Sequence, residues 1–221
     1  DIMSVDKDHH NFSSVGGVSL GDRPSDFYTP NFISLDPPEH DGQRMAVTGV
    51  VAPTNLAALE TVIRERAAKI LDGLPVGETF NWVDKVSIEL TTQMLAAIFD
   101  FPFEERRKLT YWSDLATSTV ATGGSMPEES RREGLMECLE VFTQLKRERE
   151  SRDPAKHNDL VTMMAHSPAT KDMDPMEYLG NLVLLIVGGN DTTRNSLTGG
   201  VYFLSKFPKE FEKLKANPEL I

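Results

Sequence analysis

Six consecutive residues, Gly188-Gly189-Asn190-Asp191-Thr192-Thr193, combine what is needed to bring protons to a confined reagent. The glycines carry no bulk, so a flat or small ligand can lie against the backbone. A threonine hydroxyl that bonds back to a carbonyl one turn earlier can open a helix and leave a small polar notch. An acid beside a hydroxyl in such a notch, here Asp191 beside Thr192, is a candidate proton relay. A helix that only has to pack would not carry this set. Two mid-helix glycines cost roughly 1 kcal/mol each relative to alanine, and a buried aspartate is expensive without a partner. The competing reading is a helix-crossing contact at the glycines, with Asp191 facing solvent.

A second pair with chemistry is His40 and Arg44. Four residues apart, they share a helix face and can grip one anion together. The plain alternative is a solvated basic pair near a helix start. His9 and His10 are adjacent, so they point to different faces and are not expected to bind a metal jointly. Cys138 lies on a stripe with Leu135, Leu139, Phe142 and Leu145, which makes it a small buried residue rather than a nucleophile or ligand.

Helices must position these groups. Residues 174–207 read as one helix ~50 Å long. Asp174 is a plausible N-cap, Pro175 sits at the first helical position, Glu177 completes a capping-box spacing, and Pro208 ends the run. Its middle turn, residues 182–187, is apolar on every side and is expected to be buried all round. That run is far short of the ~20 residues that span a bilayer. Asp36-Pro37-Pro38-Glu39-His40 is a helix start. Further helices are expected over residues 54–74, 81–99, 102–118, 127–152 and 159–166, and from Phe211 onward, with a short amphipathic one over 1–12. Residues 15–33 and 119–126 are loops of the kind that form lids or binding surfaces. No run of alternating strands is apparent. The fold expected is mainly α, in a single domain spanning residues 1–221.

The net charge of −11 argues against a nucleic-acid partner, because phosphate binding needs a basic face. A single cysteine rules out a disulfide framework and fits a reducing cytoplasm. No secretory leader is recognisable, and both ends look cut.

The two signatures resemble those of the bacterial cytochrome P-450 family, the haem-thiolate monooxygenases. The family's distal helix carries a Gly-Gly-x-Asp/Glu-Thr-Thr pattern, matched by Gly188, Gly189, Asp191, Thr192 and Thr193. Its haem-approaching helix carries Asp-Pro-Pro-x-His-x-x-x-Arg, matched by Asp36, Pro37, Pro38, His40 and Arg44. Within the family, residues 188–196 and 80–117 are most similar to the alkane terminal hydroxylases.

The resemblance implies a partial P-450 fold, with helices around one long central distal helix. It implies haem, with His40 and Arg44 on the propionates. Gly188 and Gly189 would let dioxygen and substrate approach the iron. Thr192 would hydrogen-bond the activated oxygen, and Asp191 would feed protons from outside. Leu184 and Val187 would wall an apolar pocket, entered past residues 15–33 and 118–126. The substrate implied is the terminal carbon of a linear alkane or fatty acyl chain, with a sterol or terpenoid side chain as the alternative. Electrons would come from NAD(P)H through a ferredoxin and its reductase. The reading of a different class is a non-catalytic helical scaffold, which explains neither the His–Arg pair nor the Asp–Thr notch. The family's cysteine-ligand loop, with the Glu-x-x-Arg helix that directly precedes it, does not occur in these residues. They are expected beyond Ile221, so the iron ligand lies outside the chain, no metal ligand falls within it, and the 221 residues alone are expected to be inactive.

Overall fold

The computed structural model describes residues 2–15, 27–118, 124 and 126–221. Among them the chain forms nine α-helices and no strand: α1 (Ile2–Asp6), α2 (Glu39–Thr48), α3 (Pro53–Asp72), α4 (Glu89–Phe99), α5 (Arg107–Thr117), α6 (Glu128–Arg149), α7 (Leu160–His166), α8 (Pro175–Lys206) and α9 (Pro208–Ala216). The mainly α architecture is as expected. The entrance loops expected over 15–33 and 118–126 lie largely outside the described residues.

The central helix α8 starts and stops where its residue types dictate. The Asp174 carboxylate accepts the Met176 N–H at 2.9 Å, Pro175 needs no amide partner, and Phe207 ends the helix ahead of Pro208. Glu177 does not close a capping box; its carboxylate accepts from Gln43 Nε2 of α2 at 2.6 Å instead. Helices α4, α5 and α6 pack against α8. Phe99, Phe101, Trp112 and Phe142 fill the space among α4, α5 and α6, with ring centroids 5.3–5.9 Å apart in tilted and edge-on contacts. Helix α6 buries the expected stripe of Leu135, Cys138, Leu139, Phe142 and Leu145. Burial pushes the Cys138 thiol well above its ordinary range, so it stays protonated and inert.

Several expectations need correction. The first helix stops at Asp6, because Asp8 takes the Asn11 N–H and amide into a local turn. The helix expected over 81–99 begins with a π-helical turn, Val83–Ile88, before α4. A 3₁₀ turn, Phe103–Glu105, precedes α5. The apolar turn of α8 is not buried all round: Leu182 and Ile186 are fully buried, whereas Val183, Leu184, Leu185 and Val187 are only partly so. The amphipathic stripe of α3 buries no residue among the described ones.

The N-terminus of α6 carries an acid-sensitive cluster. Hydrogen bonds from Arg131, then Arg132, hold the Glu128 carboxyl at about 2, against an ordinary 4.5. Because the folded value is depressed, the stabilisation is present above about 4.5 and is lost as pH falls toward about 2. Carbon-13 NMR should place the Glu128 midpoint near 2, and Glu128→Gln should flatten the acid limb of stability over that window. Titration near 4.5 would show that the two guanidinium groups do not hold it.

Candidate functional site

The polar motif lies on a regular stretch of α8, and the neighbouring helices sort its members by face. Asn190 is fully buried on the back of the helix. Its Oδ1 accepts from Thr91 of α4 at 3.0 Å and from Thr110 of α5 at 3.5 Å. Gly189 meets α4: an added Cβ would stand 2.7 Å from Leu95 Cδ2. At Gly188 an added Cβ would meet nothing within 4 Å. The two glycines therefore have different reasons to be bare. Packing explains Gly189, and only open space beside the helix accompanies Gly188.

Thr192 is exposed, and its hydroxyl donates to the Gly188 carbonyl at 2.8 Å, the back-bond its position suggests. That bond does not open the helix, which stays continuous from Pro175 to Lys206. The aspartate differs from expectation. Asp191 is partly exposed rather than buried, and its carboxylate is ion-paired with Arg194 and accepts from Asn195 Nδ2 at 3.3 Å. The fully buried polar residue of the motif is Asn190, its neighbour.

Helix α2 reaches the same side of α8. Asn181 Nδ2 donates to Gln43 Oε1 at 3.2 Å, and Asn181 Oδ1 accepts the Phe32 N–H at 3.0 Å. The His40 ring stacks on Phe32, with centroids 6.3 Å apart and planes 16° from parallel. At ~100° per residue, positions seven and eleven beyond Asn181 return to within ~20° of its direction. Gly188 and Thr192 occupy those positions. Leu184, one turn before Gly188, continues this stripe at the edge of the core, while Val187 and Asp191 flank it on one side.

His40 and Arg44 therefore belong to a helix docked at one end of an open stripe whose middle holds Gly188 and Thr192. His40 Nδ1 lies 3.6 Å from Asp41 Oδ1. Arg44 is exposed, and its guanidinium meets no acceptor among the described residues. An exposed guanidinium on α2 and a bare glycine on α8, on helices tied together by Gln43 and Asn181, are groups of the kind that hold a flat macrocycle with anionic arms.

The residue types hinted too weakly at three other members of the site. Asn181 and Gln43 tie α2 to α8, and Arg194 holds Asp191. The available signal for Asn181 was one amide set directly against an apolar run.

This helix order around a long central helix, with one open polar stripe, is that of a cytochrome P-450, and the chain belongs to that family. It superposes on cytochrome P-450-153 of Novosphingobium aromaticivorans with a TM-score of 0.88 and 44% identity, over 99% of this chain and 55% of that one. It is 31% identical over 194 residues to linalool 8-monooxygenase of Pseudomonas putida, covering 86% of this chain and 46% of the relative. It is 28% identical over 184 residues to steroid C26-monooxygenase of Mycolicibacterium smegmatis, covering 83% and 42%. No family model matches the chain. The chain thus spans about half the length of the relatives it matches. Membership implies haem as the cofactor. Among the described residues, no single helix is long and apolar enough to cross a membrane.

Proposed function

We propose that this chain supplies the oxygen-handling side of a haem-dependent monooxygenase that hydroxylates an unactivated C–H bond, at the terminal carbon of a linear alkane or fatty acyl chain. The observation that carries this reading is the open stripe at Gly188 and Thr192 on the side of α8 where α2 docks. Haem, when bound, supplies the electron-driven activation of dioxygen and the oxidation of the C–H bond. The chain's own residues bind, shape and protonate. His40 and Arg44 would hold the propionates, with N–H donors set against anionic arms. Gly188 leaves the space that dioxygen and substrate enter. Thr192, whose hydroxyl rests on the Gly188 carbonyl, would turn that hydroxyl toward a ligand lying in this space. Asp191 feeds protons toward Thr192 from the partly exposed flank. Leu184 and Val187 present apolar surface, which is all that a hydrocarbon can be held by.

The alkane reading is supported by the 44% identity to cytochrome P-450-153 and by the motif over residues 188–196. A terpenoid or sterol side chain is the second reading, favoured by the similarity to linalool and steroid monooxygenases. Electrons come from NAD(P)H through a ferredoxin and its reductase in the cytoplasm. Titrating the intact, haem-loaded protein with octane and, separately, with a sterol discriminates the two. Octane should give the larger low-to-high-spin shift. A larger shift with the sterol would overturn the alkane assignment.

A further inference from the structure

Asn190 sits behind the open stripe of α8. It is two positions from both Gly188 and Thr192, so it points ~200° round the helix from each. It is fully buried, and its Oδ1 is held from two helices at once, by the Thr91 hydroxyl of α4 at 3.0 Å and the Thr110 hydroxyl of α5 at 3.5 Å. Thr91 is a fixed peg, because its hydroxyl also lies 3.0 Å from the Ser87 carbonyl in the π-helical turn. The Asn190 Nδ2 is buried and meets no acceptor. A half-satisfied amide in the interior costs stability, and leucine would fill the same space without that cost. Packing therefore does not explain the asparagine.

The contacts around it do little to stop α8 turning about its own axis. Leu95 of α4 meets Gly189, where α8 offers no side chain to interlock. Leu182 and Ile186 are buried by apolar contact, which has no preferred direction. Further ties lie one and two turns beyond Asn190, from Arg194 to Asp114 and between Thr198 and Ser87. The first of these ends on a half-exposed carboxylate at the tip of a long side chain.

We propose that Asn190 is a positioning residue that fixes the rotation of α8, and with it the direction in which Thr192 and the bare face at Gly188 meet a bound chain. Thr91 and Thr110 stand on different helices, so a roll that keeps one bond lengthens the other. A roll of ~15° swings a hydroxyl ~4 Å from the helix axis through ~1 Å. A displacement of that size at a reacting group can cost about a hundredfold. The rotation thus sets which carbon of a bound chain is hydroxylated. The inference rests on the proposed role of the stripe at Gly188 and Thr192, and the test separates the two.

In the intact, haem-loaded enzyme, Asn190→Leu should unfold at about the wild-type urea concentration, yet lower the ratio of terminal to subterminal alcohol from octane at least about threefold. That ratio is set within each turnover, so a share of unfolded enzyme does not move it. A second readout needs no turnover. The infrared stretching band of carbon monoxide on the reduced haem should broaden or split, because the Thr192 hydroxyl no longer stands at one distance from the ligand. Thr91→Val combined with Thr110→Val removes both pegs without touching α8, and should produce the same two changes even if Asn190→Leu does not fold. Adding Asn190→Leu to that pair should change little more. A wild-type ratio and an unaltered band in the threonine pair overturn the inference, and an uncoupled Thr192→Ala beside them leaves the stripe reading standing. If Thr192→Ala itself leaves coupling and band unaltered, both fall.

Discussion

Gly180→Ala should lower the unfolding free energy by about 2–3 kcal/mol and weaken haem binding with it. At Gly180 the chain preceding α2 crosses α8 in direct backbone contact. An added Cβ would fall on the Pro30 carbonyl oxygen and lie 2.8 Å from the Thr29 carbonyl oxygen. Neither atom is the end of a flexible side chain, so the crossing segment must lift. Lifting it strains the bond from the Phe32 N–H to Asn181 and moves the ring on which His40 stacks. Stability and haem retention should therefore fall together. Urea denaturation and haem titration of the same variant measure both. Wild-type stability would mean the crossing is loose, and lost stability with unaltered haem affinity would detach His40 from the cofactor.

In the intact enzyme, with its cysteine-ligand loop, Thr192→Ala should cut product formation about tenfold or more while haem and substrate binding persist. Reducing equivalents should then leave as hydrogen peroxide. The hydroxyl is exposed and bonds only its own helix at Gly188, so its removal orphans no buried group. Alanine is also the better helix former by several tenths of a kcal/mol, so the variant should be as stable as the wild type or slightly more so. A catalytic loss without a stability loss is the mark of a functional hydroxyl. Thr192→Ser should restore coupling. Thr193→Ala, ~100° round the helix, should change little. Unchanged coupling of NAD(P)H use to product in Thr192→Ala would remove Thr192 from the mechanism.

Much of the helical frame is legible in the sequence. The ends of α8 follow from Asp174, Pro175 and Pro208, and the buried face of α6 follows from the spacing of Leu135, Cys138, Leu139, Phe142 and Leu145. These features depend on local chemistry and a single period. What was not legible depends on distant partners. Asp191 and Asn190 are neighbours with similar side chains, and which one is buried is decided by Thr91 and Thr110, 99 and 80 residues away. Glu177 had a sound local reason to close a capping box, and Gln43, 134 residues away, takes it instead. The π-helical turn at Val83–Ile88 widens the helix by less than an apolar period can register. The stripe on α3 is real in the sequence, but among the described residues α4 covers it only in part: Leu59, Val62 and Ile70 are half-buried, and Leu56, Ile63 and Leu71 stay exposed. Of the motif itself, the back-bond from Thr192 to Gly188 follows from the spacing alone, whereas the separate duties of Gly188 and Gly189 required Leu95 to be placed.

Carbon monoxide binding to the reduced, haem-loaded intact protein tests most directly whether the open face at Gly188 shelters a diatomic ligand over the iron. Gly200 is the control, since it is exposed on the same helix and an added Cβ there also meets nothing within 4 Å. Gly188→Val should lower the association rate about tenfold or more, against little change for Gly200→Val, although both replace an open mid-helix glycine with the same residue. Equal rates in the two variants would contradict the placement of the oxygen site on this stripe.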